Sequence, residues 1–104
     1  MTQELKAGSR WASAADDTEV IVVKPPGVAG LTLECGGHPM IPSGTAKPAG
    51  VEVDPSSAGG TAIGKRFAHE SGLEVLCTKA GVGTVAVDAT PLALKDAKPL
   101  PSSD

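Results

Sequence analysis

Thr18-Glu19-Val20-Ile21-Val22-Val23-Lys24 returns further along the chain as Leu73-Glu74-Val75-Leu76-Cys77-Thr78-Lys79. Both stretches are dense in aliphatic and β-branched residues, which favour the pleated, half-buried surface of a strand. The likeness extends outward. Gly8-Ser9-Arg10-Trp11-Ala12 precedes the first stretch and Gly64-Lys65-Arg66-Phe67-Ala68 the second; Leu31-Thr32-Leu33 with Pro39-Met40 follows the first, Gly83-Thr84-Val85 with Pro91-Leu92 the second. Identity falls at Gly8/Gly64, Arg10/Arg66, Ala12/Ala68, Glu19/Glu74, Val20/Val75, Lys24/Lys79, Thr32/Thr84 and Pro39/Pro91. Self-similarity of this length is read as two copies of one supersecondary unit. The expected fold is all-β: two pseudo-symmetric β-hairpin repeats, 8–40 and 64–92, packed as a small sandwich or barrel. They form a single domain over 1–104, with a linker at 41–63 and an extended C-terminal tail at 94–104.

Lys24-Pro25-Pro26-Gly27 stops the first strand in a turn. Leu31, Leu33 and Cys35 then alternate with Thr32 and Glu34, a period-two strand with one buried face. These two strands are expected to pair as a hairpin, and Leu73–Thr78 with Thr84–Asp88 as the second. Each hairpin is preceded by Arg plus an aromatic, a short strand that docks on it. Two or three strands alone are barely stable in water, so the units must bury their apolar faces against each other. Val51-Glu52-Val53 suggests a short edge strand within the linker, and Thr90–Asp96 has a single helical turn as an alternative to extended chain.

Composition limits the functions available. One Trp, one Phe and no Tyr make an almost wholly aliphatic core, and thirteen Gly with nine Pro imply short elements joined by turns. A net charge of −3 argues against non-specific nucleic acid or an anionic membrane as partner. Two cysteines are too few for a secreted disulfide scaffold. The start, Met1-Thr2-Gln3-Glu4-Leu5-Lys6, lacks the apolar core of a signal peptide, and no apolar run suits a transmembrane helix. A cytoplasmic protein is expected by elimination.

The most pointed chemistry lies in Glu34-Cys35-Gly36-Gly37-His38-Pro39-Met40, where a strand delivers a cysteine into a glycine turn. This resembles the metal knuckle of desulforedoxin and rubredoxin-like hairpins. The resemblance implies iron or zinc held by four thiolates, and symmetric pairing that a duplication would place in one chain. Carried over residue by residue, only Cys35 sits on a ligand position. Gly36 stands where the family places a second knuckle cysteine, the entry loop 12–18 has none, and the second copy reads Val87-Asp88-Ala89-Thr90 at its knuckle. A mixed site of Cys35 and His38 with Asp16 or Asp17 is the alternative, since zinc accepts sulfur, nitrogen and oxygen ligands. The favoured reading makes Cys35 a small buried hydrophobe and His38 a turn residue, with no cofactor. Cys35, His38, His69 and Cys77 have the residue types of a Cys2His2 site but fit no finger spacing, and Cys77 falls mid-strand.

Arg10 and Arg66 recur, either as an anion clamp or as structural ion pairs with Glu19 and Glu74; the pairs are favoured because both members repeat. Lys24 and Lys79 end strands and are expected in solvent. No nucleophile elbow, phosphate loop or metalloprotease motif is present in the sequence. The expectation is therefore a non-enzymatic accessory module. It contacts another protein through the 41–63 segment or the tail, with a zinc- or iron-binding protein as the alternative.

Overall fold

The computed structural model describes residues 3–28 and 30–95. The greater part of the predicted tail, 96–104, lies outside the described residues. The chain forms β1 (Arg10–Ala12), β2 (Glu19–Lys24), β3 (Leu33–Cys35), β4 (His38–Pro39), β5 (Ile41–Pro42), a 3₁₀ turn (Pro55–Ser57), β6 (Arg66–Ala68), β7 (Glu74–Lys79), β8 (Val85–Val87), β9 (Thr90–Pro91) and β10 (Ala93–Lys95). These build two antiparallel sheets, one ordered β10-β6-β7-β2-β1-β5 and the other β4-β3-β8-β9. The protein is all-β, as expected.

The pairing differs from the expected hairpins. β2 and β3 do not meet: β2 pairs with β7 in one sheet and β3 with β8 in the other. The hairpins that form are β1–β2, β3–β4, β6–β7 and β8–β9. Pro25 and Pro26 have no N–H to offer a ladder, so the chain leaving β2 does not turn back beside it. It crosses to the second sheet instead, held where Gly27 N–H donates to the Ser71 carbonyl at 2.7 Å. Val51–Val53 does not form a strand, and Thr90–Lys95 is extended rather than helical.

Register is alike in the two halves. Arg10 faces Ile21 and Trp11 faces Val20; Arg66 faces Leu76 and Phe67 faces Val75. Glu34 faces Pro39 and Ala86 faces Pro91. Both sheet orders also read the same from either end once β1, β2, β3, β4 and β5 are exchanged for β6, β7, β8, β9 and β10.

The core lies between the sheets. Val20 and Val22 of β2, Val75 and Cys77 of β7, Leu33 and Cys35 of β3, and Val85 and Val87 of β8 are all buried. Trp11, Leu73, Met40 and Leu92 belong to the same buried cluster. Each fully buried aliphatic side chain contributes about 1.5–3 kcal/mol relative to exposure. Gln3 extends β3 from the side: its amide donates to the carbonyls of Leu33 and Met40 at 2.8 and 2.9 Å and accepts from Leu33 N–H at 2.6 Å.

Two tight turns cap the smaller sheet. Gly36 and Gly37, at φ +65° and +87°, join β3 to β4; Asp88 and Ala89, at φ 47° and 68°, join β8 to β9. Two successive positive-φ residues suit a type I′ hairpin, whose twist matches its strands. Glycine adopts them freely, while Asp88 and Ala89 do so at a steric cost.

Candidate functional site

The entry loop between β1 and β2, Ser13–Thr18, builds a polar knot against the core. Ser13 N–H donates to the Thr18 carbonyl at 2.8 Å, and the Ser13 hydroxyl accepts from Ala15 and Asp16 N–H at 3.1 Å each. Asp16 accepts from the Thr18 hydroxyl at 2.9 Å and from Gly83 N–H at 2.6 Å. The Cys35 thiol donates to it at 3.8 Å, and the Lys47 ammonium caps its backbone carbonyl. One carboxylate thus ties together the entry loop, the end of β3 and the loop between β7 and β8.

Glycine is required on the far side of this knot. A β-carbon at Gly81 would stand 2.5 Å from Asp16 Oδ2 and 2.7 Å from Thr18 N, and one at Gly83 would stand 2.8 Å from Cys35 Sγ. Thr61, buried, holds the same loop by donating its hydroxyl to the Gly83 carbonyl at 2.7 Å.

The electrostatics of the knot favour a fixed charge beside a neutral thiol. Burial raises the Asp16 pKa, but the bonds from Ser13, Gly83 and Thr18 outweigh it and leave Asp16 below its ordinary 3.8. Burial pushes the Cys35 thiol up from 9.0 to about 11; hydrogen bonds from Thr18 and Ser13 oppose the rise and the Asp16 charge adds to it. A protonated, fully buried thiol is a poor nucleophile and a poor metal ligand.

Of the four candidate metal ligands, Cys35 and Asp16 come together and the others do not join them. His38 Nε2 is bonded to the Glu52 carbonyl at 2.7 Å, and Asp17 is exposed. Among the described residues, no three His, Cys, Asp or Glu side chains are grouped to hold a metal ion. His69 bonds Ser71 within its own loop, and Cys77 lies buried in β7, donating to the Lys79 carbonyl at 3.2 Å. The arrangement does not fit a thiolate metal centre.

The repeated charges sort themselves differently from the expected Arg10–Glu19 and Arg66–Glu74 pairs. Register puts Ala12, not Arg10, opposite Glu19, and Ala68, not Arg66, opposite Glu74. Irregular register at both ends of the β2–β7 ladder instead sets Lys24 against Glu74 and Glu19 against Lys79. Glu74 Oε2 accepts from Lys95 at 2.7 Å and lies 3.4 Å from Lys24. The Lys95 bond, helped by Lys24 and opposed by burial, lowers the Glu74 pKa. Glu19 instead accepts from the Ser43 hydroxyl at 3.2 Å. Among the described residues, neither Arg10 nor Arg66 makes an ion pair.

Both arginines lie in one row across the outer face of the six-stranded sheet. Paired residues share a face, so Arg10, Ile21, Leu76, Arg66 and Lys95 follow one another from β1 to β10. Ile21 and Leu76 are partly exposed; Arg10, Arg66 and Lys95 are exposed. The outer face of the smaller sheet carries the opposite sign. There a cleft of about 340 Å³ is lined by Glu34, Asp54, Ser56, Ser57 and Thr84, among others.

Sequence reasoning missed Ser13, Thr18, Thr61, Gly81 and Gly83. Ser13-Ala14-Ala15-Asp16-Asp17-Thr18 does carry a signal, because Ser, Asp and Thr at this spacing favour self-bonded turns. Set against known proteins, the chain matches no family model, no curated protein and no solved structure. No helix among the described residues is long and apolar enough to cross a membrane.

Proposed function

We propose that this chain is a small, non-enzymatic β module that binds another protein through the outer face of its six-stranded sheet. The observation that carries this reading is the row Arg10-Ile21-Leu76-Arg66. It is an aliphatic centre flanked by two guanidinium groups that have no ion-pair partner among the described residues, whereas Lys24 and Lys95 are both paired with Glu74. An arginine flanking apolar surface is a favoured anchor at interfaces. The polar knot is a structural latch in this account, since its thiol is neutral and its carboxylate is already supplied with donors. The exposed segment 43–50, which follows β5 at the edge of the same sheet, supplies an additional contact arm. The shared register of the halves supports reading 8–40 and 64–92 as tandem copies of one ancestral unit.

A photoreactive residue at Thr78, exposed on β7, tests the reading when compared with one at Ala86 on β8 of the other sheet. An adduct with a second protein is expected from Thr78 and not from Ala86, and it should disappear on Arg10→Glu with Arg66→Glu. Equal adducts from both positions, or one indifferent to the arginines, would reject this face as the binding surface.

A further inference from the structure

We infer that the occupant of this face is an extended, acidic segment of the partner protein, with carboxylates four residues apart and an aliphatic side chain midway between them. The inference rests on the preceding reading of the outer sheet face and adds the chemistry and spacing of what binds there.

Arg10 and Arg66 stand on β1 and β6, with β2 and β7 between them. Three neighbouring-strand spacings separate them by about 14 Å. An extended peptide advances about 3.3–3.4 Å per residue, so positions i and i+4 span nearly the same distance. A segment lying across the strands therefore sets one carboxylate over each guanidinium, and residue i+2 falls over Ile21 and Leu76. Period-two alternation sends i, i+2 and i+4 to the same side of the peptide, which aims all three side chains at the sheet.

Charge limits the number of anchors to two. Lys95 completes the row, but its ammonium is bonded to Glu74 at 2.7 Å, and Lys24 shares the same carboxylate. The two arginines, unpaired among the described residues, are left to make bidentate, charge-assisted bonds to incoming carboxylates. The chemistry of the centre selects protein over single-stranded nucleic acid. Bases need aromatic platforms, whereas this row offers Ile21 and Leu76, with Trp11 buried and Phe67 packed against the core.

The test is an NMR titration of the ¹⁵N-labelled full chain with the peptide acetyl-Ser-Glu-Ser-Leu-Ser-Glu-Ser-amide. An isomer of the same composition with adjacent glutamates is the control, and Lys6→Gln is the control variant. Shifts should centre on residues 10, 21, 66 and 76, with the control peptide at least about fivefold weaker. Arg10→Gln with Arg66→Gln should weaken binding by about tenfold or more, and Lys6→Gln should leave it unchanged. Equal affinity for the two peptides would overturn the inference, as would tighter binding of a uridine heptanucleotide, or self-association of the chain through these arginines. Failure of the peptide while the arginine-dependent Thr78 adduct persists refutes the spacing and leaves the binding face standing. Loss of both refutes the face itself.

Discussion

The two entry loops occupy matching places in the two halves and are filled in opposite ways. In the first, Ser13 N–H bonds the Thr18 carbonyl; in the second, His69 N–H bonds the Leu73 carbonyl, at 2.8 and 2.9 Å. Thr18 and Leu73 are both fully buried. The first loop meets the opposite half through the Asp16 carboxylate, which accepts from Gly83, and the second through a backbone carbonyl, Ser71, which accepts from Gly27. One backbone frame thus accepts either a polar knot or an aliphatic plug, provided that each end is tied to the connection arriving from the other half.

The largest effect expected from this contrast is at the plug. Leu73→Ala should destabilise the protein by about 2–5 kcal/mol in denaturant unfolding, as truncation of a buried leucine does. Thr18→Ala should cost less, about 1–2 kcal/mol, because it removes one hydroxyl bond and little volume. An equal loss at the two sites would erase the distinction.

The knot has a signature in alkali that the plug lacks. Cys35 is held above its ordinary 9.0, at about 11 in the fold. A raised pKa gives stability that is fully present below pH 9 and is lost as pH climbs toward 11. The loss is of the order of 2–3 kcal/mol by linkage. Cys35→Ala should flatten that decline, whatever it does to stability at pH 7. Asp16 works in the opposite sense. Its pKa is depressed, so its contribution is present above about pH 4 and is lost as pH falls further. Asp16→Asn should blunt acid unfolding, and a pH profile identical to the parent's would remove Asp16 from the account.

The longer central strands and their inward faces were legible, because the alternation in Leu31–Cys35 and the aliphatic density of Val20–Val23 are local properties of the chain; the short strands β4, β5, β9 and β10 carry no such pattern. The neighbour of each strand was not legible. Alternation says which side of a strand is buried, and β2 buries Val20 and Val22 equally well beside β3 or beside β7. The same ambiguity hid the Lys24–Glu74 ion pair. The β2–β7 ladder sets each half's glutamate opposite the other half's lysine, Glu74 against Lys24 and Glu19 against Lys79, and among the described residues only the first of these closes as an ion pair. The knot was illegible for a similar reason, since the donors to Asp16 include Gly83, far away in sequence and silent in composition. Cys35 was recognised as a core residue, whereas His38, expected in the turn, is the first residue of β4 and pairs with Cys35.

The smallest contrast is between the two tight turns. Ala89→Gly should stabilise the protein by about 0.5–1 kcal/mol, since Ala89 holds φ 68° without glycine's freedom. Gly37→Ala should do the reverse by a larger margin, because its β-carbon would also approach Asp54 Cβ to 2.9 Å. Chemical denaturation of the two variants side by side checks both signs.

The central claim is that each half contributes three strands to the larger sheet and two to the smaller, with the halves meeting at Ile21 against Leu76 and at Glu34 against Ala86. Cross-strand nuclear Overhauser contacts in the full chain test it most directly. Backbone contacts are expected along Val20/Cys77, Ile21/Leu76 and Val22/Val75, and along Leu33/Val87 and Cys35/Val85. Contacts linking residues 19–24 to 33–35, and 74–79 to 85–87, would instead mean that each half closes on itself as a hairpin, and would contradict it.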